Sequence, residues 1–350
     1  MYSVKLRDGR VIGEGEPCFI IAEAGVNHDG DIEKAKRMID IAINAGADAV
    51  KFQTFTGERL ASKDAFLATY HKKGAVSKDE TLKQLLKRLE LNFDEHRELY
   101  NYAKGKGIKF ISTPFDEESA DFLVDLGVDI IKISSFHVTH LPLLKHIAEK
   151  QLPIILSVGL STMGDVEEAV NIIRSTGNNK LFLLQCTSHY PSEAKDSNLR
   201  VMQTLKQSFQ LPVGYSDHTK GIIISLAAVA MGACIIEKHF TFDTSSWGVD
   251  HDASINSDEL KELVKNIRIV EDSFGDPIKK ILEIEKEIVN VHTVSIVSRV
   301  DIPKGTKITK DMLVIKKPGI GIRSKHIDLV VGRVANVDIE ADRLIKWEYI

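Results

Sequence analysis

Cysteine is scarce in this chain: three in 350 residues, Cys18, Cys186 and Cys234, widely separated. So small, odd and scattered a set excludes a disulfide framework or a cysteine-rich zinc cluster and fits reduced thiols in the cytoplasm. Long hydrophobic runs are also missing. The longest, Gly221 to Ile236, falls short of the ~20 residues a spanning helix needs, so no membrane partner is expected. Met1 to Pro17 holds no apolar core of the signal-peptide type. Neither sign of charge dominates. The formal net charge is −4, with both signs mixed along the chain, which excludes a strongly basic nucleic-acid binder. No G-x-G-x-x-G follows the first strand-like run, so a dinucleotide-binding half is unsupported.

What the chain does have is repetition. Eight short apolar runs each end in a polar or ionisable residue: Cys18–Glu23, Ala49–Gln53, Ile108–Thr113, Asp129–Ser134, Pro153–Ser157, Leu181–Thr187, Val213–Asp217 and Cys234–His239. Segments of helical spacing lie between them, beginning with Asp31–Asn44, where Ile32, Ala35, Met38, Ile39 and Ala42 mark one face. The others are Phe93–Lys104, Glu117–Leu126, Leu141–Glu149, Gly164–Ser175, Asn198–Ser208, Lys220–Met231 and Asp258–Phe274. Strand then helix, eight times, predicts an α/β fold of the (β/α)8 TIM-barrel type over residues 1–275, with an open doubly wound sheet as the alternative. Gly57 to Glu90 is long for a barrel connection and holds a helix-like stretch, Glu80–Leu91. It reads as an active-site lid or as a plain insertion.

Near Gly275 the pattern breaks. Residues 276–291 read as a helical linker with Ile281, Ile284 and Ile288 on one face. Residues 292–350 read as a small β-rich domain, with strands expected over Val294–Val300, Met312–Ile315, Pro318–Gly321 and Val331–Val337.

Barrels of this kind build their active sites at the C-terminal strand ends. His218 and His239 close the seventh and eighth runs, which are neighbours in a barrel, so both imidazoles can reach one divalent metal. With only two imidazoles, oxygen ligands must complete the shell, which suits Mn2+ or Mg2+ better than structural zinc. The alternative is a pair of buried, hydrogen-bonded histidines. Lys51 and Lys132 sit inside strands between apolar neighbours and must point into the barrel. With Thr113, Ser135 and Ser157 they could hold a phosphate or carboxylate. They could equally pair with Glu23 or Glu237. Glu23, ending the first run, could orient a water or accept a proton, or simply neutralise Lys51. Lys238 precedes His239 and should face the other way.

The motifs Ile21-Ala22-Glu23-Ala24-Gly25-Val26-Asn27-His28, Lys51-Phe52-Gln53, Ser112-Thr113-Pro114-Phe115, Gly214-Tyr215-Ser216-Asp217-His218-Thr219, Glu237-Lys238-His239-Phe240-Thr241 and Asp250-His251 with Ala253-Ser254 resemble those of the sialic acid synthase family. The tail, around Asp301-Ile302-Pro303-Lys304-Gly305 and Lys317-Pro318-Gly319, resembles the antifreeze-like (SAF) domain that ends these enzymes. The resemblance implies condensation of phosphoenolpyruvate with an open-chain N-acetylmannosamine-type sugar and water, giving a nine-carbon acid sugar and phosphate. It implies a metal on His218 and His239, with Glu23 managing the attacking water. It implies phosphoenolpyruvate on Lys51, Gln53, Thr113, Lys132, Ser135, Ser157, Ser188 and Ser216, and the acceptor sugar near His137, Tyr190, Asp250 and Lys317. It also implies a domain-swapped homodimer. Phe136-His137 stands where the family has a small residue and then a carboxylate. Lys317 stands where it has arginine, and Ser188 is a milder change. These departures gather on the acceptor side, so a 2,4-diacetamido-6-deoxymannose leading to legionaminate, or mannose, is the alternative acceptor. A Schiff-base aldolase on Lys51 or Lys132, and a non-catalytic sugar-binding relative, are the competing functions.

Overall fold

The computed structural model describes residues 2–67, 74–77 and 79–350. It opens with a short antiparallel hairpin, β1 (Ser3–Lys5) and β2 (Val11–Gly13). Then β3 (Phe19–Gly25), β4 (Ala49–Thr54), β5 (Lys109–Pro114), β6 (Ile131–Ile133), β7 (Ile154–Ser157), β8 (Leu181–Cys186), β9 (Val213–Asp217) and β10 (Ile235–His239) run in chain order around a closed parallel barrel, where β10 pairs with β3. Between and after them lie α1 (Ile32–Ala45), α2 (Gly57–Leu60), α3 (Leu82–Leu89), α4 (Phe93–Lys106), α5 (Glu117–Leu126), α6 (Leu141–Glu149), α7 (Met163–Ser175), α8 (Val201–Phe209), α9 (Ile223–Ala230) and α10 (Ser257–Phe274). The TIM barrel read from the eight runs is the fold, and the open sheet is excluded by the β10–β3 ladder.

Local chemistry sets the helix ends. Asp31 caps α1 by accepting from the amides of Glu33 and Lys34. At α10 the reciprocal pair is Asn256 with Glu259, one residue earlier than the sequence suggests. Helices α8 and α9 start three residues later than expected, because Asn198 and Gly221 take left-handed φ values of 45° and 69°. Glu80–Leu91 shortens to α3, whose cap is Thr81 with Gln84. Part of the Gly57–Glu90 connection, residues 68–73 and 78, lies outside the described residues.

Strand alternation sorts side chains into two populations. Ile20, Ala22, Val50, Phe52, Ile131 and Ile133 face outward into the layer between barrel and helices. Phe19, Ile21, Ala49, Ile111, Ile130, Ile155, Phe182, Leu184 and Ile235 face inward and fill the lower barrel. Val4, Leu6 and Ile12 of the hairpin belong to that same cluster, so β1–β2 plugs the N-terminal end. Lys238 faces outward as expected, fully buried, 3.1 Å from Asp217 Oδ2 and donating to the Thr219 carbonyl.

The chain divides into two compact units at Phe274/Gly275. The second corrects two expectations. Residues 276–291 are not one helix: only a 3-10 turn at Glu283–Glu285 and α11 (Lys286–His292) form, and Ile281, Ile284 and Ile288 are exposed. An apolar face with nothing to bury against gives a helix little support. The tail holds one antiparallel ladder, β11 (Ser295–Ser298) with β12 (Leu313–Lys316), and a single turn of helix, α12 (Ile327–Val330). Pro318–Gly321 and Val331–Val337 are not strands. Isolated bridges, such as Ile302 to Ile339 and Lys307 to Val334, replace ladders there. Pro318 lacks a ladder donor, and Gly332 is left-handed at φ 90°. Ile296, Ile302, Ile308, Leu313, Ile322, Ile339 and Ile345 form its small core.

Candidate active site

Above the apolar floor, the same inward-facing positions turn polar. Glu23 is level with Lys51 on β4 and with His239 on β10, and Ser216 is level with Glu237. Lys51 Nζ lies 3.0 Å from Glu23 Oε2, 3.6 Å from Glu237 Oε2 and 3.2 Å from Thr113 Oγ1. Lys132 Nζ lies 2.7 Å from Ser157 Oγ and 3.5 Å from Glu237 Oε1, and Ser216 Oγ donates to that oxygen at 2.9 Å. Glu237 is thus the hub of the cluster. The sequence reading treated it only as a counter-ion, although it lies two residues before His239 and so must share its face.

These groups line an inner chamber of about 60 Å³, with Gln53, Ser135, Cys186, Tyr190, His218 and His239. An outer pocket of about 290 Å³ adjoins it and shares Gln53, Phe115, Phe136, Tyr190 and His239. Its further lining is Val26, Leu60, Leu82, Leu85, Leu86, Leu89, His137, Val249 and Asp250. Among the described residues that line it there is no lysine or arginine. The leucines come from α2 and α3, so the long connection after β4 walls the pocket. Their helical spacing was legible, but not what they would cover.

Two of the expected residues are not among those lining the chamber or the pocket. Ser188 lines a separate groove with Gly159–Met163, its hydroxyl 3.9 Å from Cys186 Sγ. Lys317 is in the second unit, where its Nζ lies 3.1 Å from His292 Nδ1. Every other expected site residue lines the chamber or the pocket.

Burial sets the protonation behaviour. It raises Glu23 to about 7, against the pull of Lys51 and with help from Glu237. It raises Asp250 to about 6. Glu237 goes the other way: burial works against its charge, but Lys132 and Lys51 hold it low. Lys132 is held low by burial, with Glu237 opposing. Burial lowers His137 to about 4, so its ring is neutral near pH 7. Its Nδ1 is buried without a hydrogen-bond partner, and its ring meets Phe115 edge-on at 5.2 Å.

The two histidines at the mouth have their ring centroids 5.4 Å apart. His218 Nδ1 lies 2.8 Å from the Thr187 carbonyl oxygen, an acceptor that fixes the proton on Nδ1 and leaves the Nε2 lone pair free. Burial, reinforced by His218 and nearby lysines, holds His239 well below the usual range, and its Nδ1 is buried without a hydrogen-bond partner. Burial works against charge on His218 too, but Cys186 and the Thr187 carbonyl carry it above the usual range, so His239 is the ready neutral ligand and His218 must give up any second proton to a divalent cation. Among the described residues no group of three or more His, Cys, Asp or Glu forms a complete metal cage. A cation here therefore needs oxygen ligands from water or substrate. The Tyr190 ring lies over His218 at 4.0 Å, tilted by 37°, and Gly25 faces the same corner. A Cβ on Gly25 would come within 3.2 Å of His239 Cε1 and 3.3 Å of both Asp250 Oδ2 and Glu23 Oε1.

The profile of the NeuB family matches residues 38–279, and that of the SAF domain matches residues 293–350. An N,N'-diacetyllegionaminic acid synthase of Legionella pneumophila is 45% identical over 97% of this chain and 96% of its own length. The human N-acetylneuraminate-9-phosphate synthase is 39% identical over 99% of this chain and 96% of its own. The crystal structure of an N-acetylneuraminic acid synthetase from Leptospira borgpetersenii, in complex with citrate, superposes with a TM-score of 0.73 at 37% identity, covering 82% of this chain and 95% of that one. The chain belongs to the NeuB family, as an enzyme of the acid-sugar synthase type, and it ends in a SAF domain.

Proposed function

We propose that the enzyme condenses phosphoenolpyruvate with the open-chain form of a 2,4-diacetamido-2,4,6-trideoxy hexose and water, yielding a legionaminate-type acid sugar and phosphate. One observation carries the reading: two inward-facing lysines and a set of hydroxyls share a chamber that opens into an apolar pocket. Acetamido methyls and a 6-deoxy carbon suit such a wall better than a hydroxyl-rich sugar does, and a phosphorylated acceptor finds no lysine or arginine among its described residues. The similarity to the Legionella synthase supports the same acceptor. N-acetylmannosamine, the acceptor expected from the sequence, is then a poorer substrate.

In this reading Lys51, Lys132, Thr113, Ser135, Ser157, Ser216 and Gln53 bind phosphoenolpyruvate. An incoming anion competes with Glu23 and Glu237 for the two ammonium groups and pushes Glu23 further toward its protonated form. His137, Tyr190 and Asp250 orient the sugar, so that C3 of the enol faces the aldehyde carbon. The new C–C bond leaves positive charge at C2, which Glu237 faces. Glu23, protonated in this state, gives its proton to the aldehyde oxygen as the C–C bond forms and, now a carboxylate, takes one from the water that adds at C2; the tetrahedral adduct then expels phosphate, which carries off the C2 hydroxyl proton. Little of this is covalent work for the protein, which supplies placement and charge. His218 and His239 would hold Mn2+ or Mg2+, which when bound polarises the aldehyde oxygen. A swapped homodimer would bring Lys317 to such a site from the SAF domain of the second subunit. The exposed Ile278, Ile281, Ile284 and Ile288 support a swapped homodimer, which light scattering would test. All three cysteines are free and buried, in keeping with the cytoplasm.

The test is phosphate release from phosphoenolpyruvate with 2,4-diacetamido-2,4,6-trideoxymannose, N-acetylmannosamine and mannose, with and without chelator. Release should be fastest with the first, stop on chelation and return with Mn2+. Release with none of the three would overturn the function, and release that survives full metal removal would overturn the metal. Borohydride should trap no adduct, whereas a trapped one would favour the aldolase.

A further inference from the structure

One motif is only half used by that reaction: Asp250 lines the sugar pocket, but His251 next to it and Ser254 beyond it do not. His251 is buried. Its Nδ1 lies 2.6 Å from Thr241 Oγ1, and its Nε2 lies 3.3 Å from Asp29 Oδ1. A carboxylate only accepts, so Nε2 carries the proton and, in the neutral ring, Nδ1 accepts from the Thr241 hydroxyl. Lys34 Nζ holds the other Asp29 oxygen at 2.9 Å. Backbone packs closely on the imidazole: a Cβ on Gly248 would sit 2.3 Å from its Cδ2.

A second tether runs beside the first. Asn27 Nδ2 donates to Ser254 Oγ at 2.9 Å, and Ser254 Oγ donates to the Asp250 carbonyl at 2.7 Å. Both tethers start in the turn after β3 and end on the segment that leaves β10. Asp250 precedes His251 and receives the second tether on its carbonyl, with its Oδ2 3.7 Å from His239 Nδ1.

We propose that His251, bridging Asp29 and Thr241, is a positioning residue that fixes the Asp250 carboxylate for the acceptor sugar. The inference rests on the assignment of Asp250 to the acceptor. It gives the turn after β3 a second duty, as the abutment of the sugar-binding segment.

His251→Ala would leave a buried hole and risks unfolding, so the test runs through Thr241. Thr241→Val keeps the shape and loses the hydroxyl, while Thr241→Ser keeps the hydroxyl. Thr241→Val should raise the acceptor KM about tenfold, because small displacements of a binding group are costly. The phosphoenolpyruvate KM should stay within about twofold, and on an Asp250→Asn background the acceptor effect should shrink to below about twofold. Thr241→Ser should restore wild-type values. An equal rise in both KM values, or an undiminished effect on the Asp250→Asn background, overturns the proposal. Hydrogen exchange of residues 243–251 in the resting protein needs no substrate. It should speed up in Thr241→Val but not in Thr241→Ser, and unchanged exchange also overturns the proposal. Wild-type enzyme that turns over none of the acceptors would overturn the function instead, and the exchange measurement would still decide the tether.

Discussion

The floor and the mouth of this barrel are built by the same strands, at inward-facing positions two residues apart. At the floor, Phe19, Ile111, Ile155, Phe182 and Ile235 pack against a hairpin plug and are fully buried. One step along these strands, Glu23, Lys51, Lys132, Glu237 and His239 crowd together, nearly as buried but ionisable. Burial of apolar surface stabilises the first layer. Burial of charge works against the second, which holds together because each ion has partners. Stability and chemistry are thus segregated along the strand axis, as barrels of this class permit.

That contrast can be broken from either end. The largest effect is expected at the mouth: His239→Ala should lower the rate of phosphate release by about 10³-fold. Its thermal midpoint should stay within about 4 °C of wild type, and calorimetric titration should show weakened Mn2+ binding. Unfolding of that variant would blur the division of labour. At the floor, Phe182→Ala should cost about 3–5 kcal/mol in urea unfolding, with kcat per folded molecule unchanged. A selective loss of kcat there would tie the two layers together.

A third measurement uses pH. Glu23 is raised to about 7, above an unfolded value of about 4.3. Its contribution to stability is therefore complete below that lower value and is lost as pH rises through 7. Glu23→Gln cannot titrate, so its thermal midpoint should fall less steeply than the wild type's over this window. Equal slopes would mean that the mouth does not strain Glu23 as its burial implies. The smallest effect is expected at the rim. His137→Glu should shift the kcat/KM ratio toward N-acetylmannosamine and away from the diacetamido acceptor by about five- to tenfold. No shift would remove His137 from the acceptor wall.

The barrel was legible because period-two alternation, ending in a polar residue, recurs eight times. Lys51 and Lys132 were legible for the same reason, since a lysine in register with inward positions has nowhere else to go. Glu237 could have been assigned by that rule. The hairpin could not: two three-residue strands carry too little pattern to reveal what they plug. The apolar wall from α3 and the tether through His251 join residues far apart in the chain, and neither periodicity nor propensity encodes such meetings. The segment 276–291 failed differently, because its helical spacing is real but no partner surface in its own unit stabilises it.

The plugged end has a consequence for traffic. The hairpin stoppers the bottom of the barrel, and the chamber adjoins the pocket, with which it shares Gln53, Phe115, Phe136, Tyr190 and His239. On the proposed reading a sugar seated first would bar the way to the lysines. Loading is then compulsory, the small anion ahead of the sugar, and a dead-end sugar analogue should inhibit uncompetitively against phosphoenolpyruvate.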